Sequence, residues 1–340
     1  MSRELNVAIV GVTGAVGETF LTVLEEKDFP VKTLYPLASA RSVGKTIRFK
    51  NQELDVLDLA EFDFSQADIA LFSAGGSVSK EYAPQAVAAG CIVVDNTSCF
   101  RYEEDIPLIV PEVNAERIVD YEKRGIIANP NCSTIQMVVA LKPIYDAVGI
   151  NRINVATYQS VSGTGKKAVT ELVTQVGDLL NGRPAKKEVY PQQIAFNALP
   201  HIDQFEDNGY TREEMKMVWE TRKILEDQDI LVNPTAVRVP VLYGHSEAIH
   251  LELKQPLSAA EARALLEKAP GVKVIDNPAK LSYPTVLSHA VGHDDVFVGR
   301  IRQDISHPNG LNLWVVADNI RKGAATNAVQ IAEILQKEYL

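Results

Sequence analysis

Leu5-Asn6-Val7-Ala8-Ile9-Val10-Gly11-Val12-Thr13-Gly14-Ala15-Val16-Gly17 sets the order apolar strand, glycine turn, helix at the start of the chain. Leu5 to Val10 is short, mostly apolar and stops at a glycine, as a strand buried on both faces does. Glu18 to Glu26 then has helical spacing, with Phe20, Leu21 and Leu24 on one side. Strand, glycine turn and helix form the context that a dinucleotide fingerprint needs. Glycines permit the tight turn and let backbone approach a pyrophosphate, which rests on the helix N-terminus. The spacing is G-x-x-G-x-x-G, not the usual G-x-G-x-x-G, so a purely structural glycine turn is the competing reading.

Outward from this turn the pattern repeats. A second strand is expected near Lys32 to Leu37. An NAD site carries an acidic residue at the end of that strand. The chain instead reads Ala38-Ser39-Ala40-Arg41-Ser42. An arginine with hydroxyls fits a ribose 2′-phosphate, so the pattern predicts NADP(H); an ordinary solvated arginine is the alternative. Ile69-Ala70-Leu71-Phe72-Ser73 and Cys91-Ile92-Val93-Val94-Asp95 are two further strands. Between them Gly75-Gly76-Ser77 opens a helix, Val78 to Ala89, that Gly90 closes. Cys91 reads as core, and the loop thiol of Cys99 carries no functional reading. Arg101 follows a strand's carboxyl end, where open α/β sheets bind ligands. Ile126-Ile127-Ala128 is a last short strand. Residues 1–128 thus read as a doubly wound sheet.

That strand runs into Asn129-Pro130-Asn131-Cys132-Ser133-Thr134, and a helix-like run, Ile135 to Val148, leaves it. A cysteine at a helix start sits where unpaired N–H groups and the helix dipole favour an anion. Thiolate is the reactive form of cysteine, and such a position lowers a thiol pKa. Free cysteine more commonly packs as a small hydrophobe. Against that, Asn-Pro-Asn is turn chemistry ill suited to a core, and Ser133 and Thr134 can cap the first turn. Cys132 is read as a covalent nucleophile.

After Gly149 the pattern changes. Arg152 to Val161 alternates like a strand. Ser162-Gly163-Thr164-Gly165-Lys166-Lys167 enters a helix, Ala168 to Leu180, without the first half of a Walker A loop. Asn181 to Tyr190 reads as a surface connection and Arg212 to Leu225 as a helix. Ala236 to Leu242 and Glu247 to Lys254 are expected as antiparallel strands around Tyr243-Gly244-His245-Ser246. Ser258 to Lys268 is a helix with a capping box, Ser258 and Glu261. Two more strands, Val296 to Arg302 and Leu311 to Ala317, precede a final helix, Thr326 to Tyr339, expected to pack back on the first domain. Residues 129–317 therefore read as an α+β domain with a mainly antiparallel sheet, joined by 318–340 to the first. So much strand with apolar faces predicts a homodimer.

The 340 residues are 46% hydrophobic and 23% charged, as in a globular protein of two domains. Net charge is −10 without a basic tract, which argues against nucleic acid. The three cysteines make no disulfide framework, and no spacing suggests a metal site. No apolar stretch reaches the roughly 18 residues of a membrane span, and Met1 to Asn6 is polar, so a cytoplasmic protein is expected.

Taken together, Gly11-Val-Thr-Gly-Ala-Val-Gly17, Leu37-Ala-Ser-Ala-Arg-Ser42, Phe72-Ser-Ala-Gly75, Asp95-Asn-Thr-Ser98, Asn131-Cys-Ser-Thr134, Gln159-Ser-Val-Ser-Gly163, Glu220-Thr-Arg-Lys223, Arg238-Val-Pro240 and Gly244-His-Ser-Glu247 are ordinary singly and specific in joint order. The chain resembles the aspartate-semialdehyde dehydrogenase family from end to end. The connection between Gly182 and Gln192 is shorter than in some members. The resemblance implies a Rossmann-like first domain. It also implies reversible, NADP-dependent reductive dephosphorylation of L-aspartyl-4-phosphate to L-aspartate-4-semialdehyde. That step supplies lysine, diaminopimelate, methionine, threonine and isoleucine.

A thiolate that expels phosphate and forms a thioester splits one hard step into two. Cys132 is that nucleophile in the resemblance. His245, in a glycine-flanked turn, is the expected acid–base group, its ordinary pKa near 6.5 suiting two-way transfer. Arg238 can grip the α-carboxylate with a bidentate fork. By resemblance Gln159 orients the acyl group, Glu220 faces the ammonium, and Lys223, Arg101 and Asn131 serve the phosphate. Without it, Glu220 with Lys223 reads as a solvated ion pair. The resemblance also carries cofactor contacts to Thr13, Gly14, Ala15, Val16, Arg41, Ser42, Ser162, Gly163 and Asn319.

Two rivals remain at this stage. N-acyl-glutamyl-phosphate reductase shares the architecture, but its substrate amine is neutral, which Glu220 disfavours. A non-catalytic NADP-binding sensor needs no reactive thiol. A thiol-redox protein would need a C-x-x-C pair, which is missing.

Overall fold

The computed structural model describes residues 3–340. The chain divides into two compact units, residues up to Pro130 with Ala324–Leu340, and Asn131–Gly323. In the first unit the order is β1 (Leu5–Val10), α1 (Ala15–Glu26), β2 (Val31–Ala38), β3 (Thr46–Phe49), β4 (Gln52–Asp55), β5 (Leu57–Asp58), β6 (Ile69–Phe72), α2 (Gly76–Ala88), β7 (Ile92–Asp95), α3 (Pro111–Asn114) and β8 (Ile126–Ala128). Its six-stranded sheet runs β5-β2-β1-β6-β7-β8, with every pairing parallel. Strand order reverses between β1 and β6, where open α/β sheets bind ligands. The β3–β4 hairpin is an addition that the sequence pattern did not disclose. β1 is buried along nearly its whole length, because helices cover both faces of such a sheet.

The second unit runs α4 (Cys132–Val148), β9 (Ile150–Gln159), α5 (Lys166–Leu180), α6 (Arg212–Ile224), β10 (Leu231–Arg238), β11 (His245–Leu253), α7 (Ala259–Leu266), β12 (Val272–Val274), β13 (Val296–Gln303) and β14 (Gly310–Ala317). Its sheet has the order β10-β9-β11-β14-β13-β12, antiparallel in the central pairings and parallel at both edges. The expected pairing of the strands around His245 is therefore wrong: β9 lies between β10 and β11. Pro240 has no N–H to continue a ladder. The chain instead crosses the end of β9, with Val161 and Ser162 donating to the carbonyls of Val241 and Leu242.

α4 packs against the sheet and against α6 and α7, which buries Ser133 to Leu141 without a break. The last helix, α8 (Thr326–Ile334), belongs to the first unit, where Val329, Ile331 and Leu335 join the core with Leu5, Ile9 and Phe20. Burying a side chain of that size contributes about 1.5–3 kcal/mol, enough to hold a terminal helix against fraying.

Candidate active site

In the first unit the glycine turn has the close backbone geometry that a phosphate cradle requires. Gly11 has φ +91°, and a Cβ there would lie 3.0 Å from the Ala74 backbone. A Cβ on Gly17 would stand 2.7 Å from Val12 Cα, so that glycine seats α1 against β1. α1 starts after Gly14 without a side-chain cap, and α2 starts after Gly75 likewise, with open space where a Cβ would be. Both sets of first-turn N–H groups are suited to pyrophosphate oxygens. Thr13, Ala15 and Val16 are partly exposed beside them, and Arg41 is exposed in a short turn, Ala40–Ser42, just after β2. Gly75-Gly76 after β6, read from the sequence as the opening of a helix, was assigned no phosphate role there. Two glycines at a strand end were the available signal. Arg101 is buried near the end of β7, its Nη2 donating to the Asn96 carbonyl.

In the second unit Cys132 is the first residue of α4 and is partly exposed. Asn131 is the N-cap, its Oδ1 accepting from the Ser133 and Thr134 N–H groups at 3.0 and 3.3 Å. Asn131 does the capping, so the roles expected of Ser133 and Thr134 fall away: their hydroxyls are buried without a partner. A Cβ on Gly323 would come within 2.7 Å of Cys132 Cβ, so only glycine fits behind the thiol.

Glu220 is fully buried and accepts the Asn131 N–H at 2.6 Å. The solvated ion-pair reading of Glu220 is thereby excluded, while Lys223 on the same helix is half-buried. Asn131 Nδ2 donates to Glu213 at 3.0 Å, and Gln159 Nε2 donates to the same oxygen at 3.1 Å. Glu213 also pairs with Lys216 at 3.1 Å, which pairs with Asp203 at 2.7 Å. The Lys216 ammonium and the Asn131 amide outweigh burial and hold the Glu213 carboxyl down at about 2. Sequence reading missed Glu213 and Lys216 because a run of acid and base at helical spacing looks like a solvated face.

His245, Gln159 and Arg238 are brought together by register: Gln159 lies opposite His245 across β9–β11 and opposite Arg238 across β10–β9. His245 is not a loop residue; it opens β11 and is fully buried. Its Nδ1 accepts the Ser160 backbone N–H at 3.1 Å, which places the ring proton on Nε2. Burial, followed by the nearby Arg238 charge, lowers its pKa to about 3. The near-neutral pKa expected for two-way proton transfer is therefore not kept, since the ring is fully buried and a cation is close.

Arg238 Nη1 donates to the Ser160 carbonyl at 2.7 Å. Arg238 Nε and His245 Nε2 are both buried without a partner. A Cβ on Gly163 would lie 3.0 Å from Arg238 Nη1 and 3.5 Å from His245 Nε2. Two orphaned donors beside a glycine mark a place for an acceptor that the chain itself does not supply. Asn319 ties this corner together: its Oδ1 accepts from Ser160 Oγ, Ser162 Oγ and the Gly244 N–H. Its carbonyl is thus committed within the chain, leaving Nδ2, already 3.1 Å from Ser162 Oγ, for any cofactor contact. Among the described residues no cluster of His, Cys, Asp and Glu could hold a metal ion. No helix among them is long and apolar enough to cross a membrane.

Comparison with known proteins places the chain in a family. Residues 6–121 match the family described as semialdehyde dehydrogenase, NAD binding domain, and residues 141–322 that described as semialdehyde dehydrogenase, dimerisation domain. An aspartate-semialdehyde dehydrogenase of Legionella pneumophila is 83% identical over 340 residues, 100% of this chain and 98% of that one. One from Shewanella violacea is 61% identical over 339 residues, covering both chains fully. The crystal structure of aspartate semialdehyde dehydrogenase II from Vibrio cholerae complexed with ASA superposes with TM-score 0.98 at 60% identity, covering 100% of each chain. One from Candida albicans with NADP gives TM-score 0.76 at 27% identity, over 98% of this chain and 99% of that one. With both domains matched and identity sustained over the full length, the chain belongs to the aspartate-semialdehyde dehydrogenase family.

Proposed function

We propose that the chain catalyses the reversible, NADP-dependent reductive dephosphorylation of L-aspartyl-4-phosphate to L-aspartate-4-semialdehyde through a thioester on Cys132. The observation that carries this reading is the pair of buried, unpartnered donors, Arg238 Nε and His245 Nε2, in the same unit as a partly exposed cysteine at a helix N-terminus. The Vibrio cholerae relative, solved with ASA, supports the substrate.

Cys132 sulfur, as thiolate, attacks the acyl carbon and forms the C–S bond; phosphate leaves with the C–O bonding pair. The dinucleotide, when bound, supplies hydride to the thioester carbon. The resulting alkoxide collapses, and sulfur leaves again as thiolate with the aldehyde. No group of the chain need remove a proton from carbon. His245 enters as a neutral imidazole, and its Nε2–H is suited to hold the oxygen on which negative charge develops. α4 and its Asn131 cap favour the thiolate. Arg238 holds the α-carboxylate and Glu220 the ammonium. Arg101 and Lys223 supply charge for phosphate, with Asn131. Gln159 orients the acyl group. Gly11, Thr13 to Val16, Arg41, Ser42, Ser162 and Gly163 are assigned to NADP; the Candida albicans relative with NADP supports the nucleotide.

The exposed Arg41 after β2 favours a 2′-phosphate over a free ribose hydroxyl. The protein acts as a homodimer in the cytoplasm, and the pathway served is that of the aspartate-derived amino acids and diaminopimelate. A partly exposed sheet face with Tyr158 and Trp314, rings 5.7 Å apart, supports the dimer. The discriminating assay follows nucleotide reduction with aspartate semialdehyde and with N-acetyl-glutamate semialdehyde. The expected result is phosphate-dependent NADP reduction with the former. Faster turnover of the latter would overturn the substrate assignment, and equal use of NAD would remove the cofactor preference.

A further inference from the structure

We infer that Glu213 is a positioning residue for catalysis: one of its carboxylate oxygens receives both the Asn131 and the Gln159 amide, fixing which end each presents. The inference rests on the thioester reading and adds to it the group that orients the parts beside the thiol.

An ionised carboxylate only accepts hydrogen bonds, so both carboxamides must turn their NH2 groups toward it. For Asn131 this leaves Oδ1 facing the Ser133 and Thr134 N–H groups, the cap on which the start of α4 depends. Reversing that amide would aim its donors at backbone donors and uncap the helix at Cys132. For Gln159 the second N–H goes to Thr157 Oγ1 at 3.3 Å. Both its donors are then committed, and the group it offers a bound molecule is an acceptor. A single oxygen thus ties the residue before the nucleophile to the end of β9, the strand that bears Gln159 and runs into Ser160. Glu213 is itself held by Lys216, and Lys216 by Asp203.

This differs from ordinary structural burial in its sign dependence. Protonated or replaced by an amide, residue 213 acquires a donor that either confronts the Lys216 ammonium or, turned round, takes the place of the oxygen the two amides share. The charged and titratable groups around Glu213 are Lys216 and Glu220 on α6, Asp203 beyond Lys216, Arg238 on β10 and His245 on β11. Lys216 supplies the largest influence favouring the carboxylate, so removing it should raise the pH at which the carboxylate is lost.

The test compares Glu213→Gln, Glu213→Asp, Lys216→Met and Cys132→Ala in the full-length enzyme. Four quantities are followed: kcat, KM for aspartate semialdehyde, the pH profile of kcat, and the rate of Cys132 alkylation by iodoacetamide without substrate. Glu213→Gln should lower kcat by roughly 10- to 100-fold, the scale of a misplaced reacting group, while KM moves less than about threefold. Its Cys132 should alkylate more slowly, and Glu213→Asp should recover part of both. Lys216→Met should move the acid limb of kcat toward neutral pH, and this decides the matter if Glu213→Gln does not fold. Wild-type kcat and alkylation in folded Glu213→Gln, or an unmoved acid limb in Lys216→Met, overturns the inference. Turnover by Cys132→Ala would instead overturn the thioester reading, whatever the Glu213 variants do.

Discussion

At the scale of single residues, the environment of His245 moves it far from its ordinary chemistry. An unperturbed imidazole titrates near 6.5; here it stays neutral down to about 3. In the folded chain few protons bind it above that value, whereas the unfolded chain binds one below 6.5. Its contribution to stability is therefore complete above about pH 6.5 and drains as pH falls toward 3. Glu213, depressed from 4.5 to about 2, acts in the same direction: its contribution is present above 4.5 and lost as pH falls through about 2. Glu247 acts oppositely: burial raises its pKa, so its contribution is held in acid and lost as pH rises.

Replacing His245 by Asn should slow the chemical step by about 10²–10³, the scale of a misplaced oxyanion donor. It should also flatten the fall in urea midpoint between pH 6.5 and 4.5, a slope of at most about 1.4 kcal/mol per pH unit for one proton. A variant with wild-type kcat, or with an unchanged acid slope, would contradict this account of the ring. Gly323→Ala should lower kcat without weakening cofactor binding, since its methyl would press on Cys132 Cβ. Unchanged turnover would show that the thiol has room to move.

At the scale of elements, legibility tracked how local the cause was. β1, α1 and the glycine turn were readable because backbone conformation and period decide them over a dozen residues. The helix at 258 was equally plain: Ser258 and Glu261 exchange both bonds of the capping box. Ser258→Ala should cost about 0.5–2 kcal/mol in chemical denaturation and leave kinetic constants alone. A changed KM would mean that α7 communicates with the site. The neighbours of β11 were not readable, because pairing with β9 instead of β10 is a long-range choice set by the crossing at Pro240. On α6, Glu220 is buried while Trp219 is 37% exposed, the reverse of their usual places. A charged stripe that faces a site has the same spacing as one that faces water. Cys132, Gln159, Arg238 and His245 were named from sequence through their motifs; Glu213, Lys216 and Gly323 stand in contexts that only tertiary contact makes special.

At the scale of the whole molecule, the second unit carries the nucleophile, the orphaned donors and the open sheet face, while the first carries the glycine cradle. If the face bearing Tyr158 and Trp314 joins two copies, sedimentation at micromolar concentration should give twice the 37.3 kDa chain mass. Tyr158→Glu should then shift the species toward monomer. A monomeric wild-type protein would refute the dimer.

The covalent step is tested most directly by mixing enzyme, aspartate semialdehyde and NADP without phosphate. The expected result is a burst of about one reduced nucleotide per active site and one aspartyl group on the Cys132 peptide by mass spectrometry, discharged when phosphate is added. Nucleotide reduction with no adduct, or an adduct on any other residue, would contradict it.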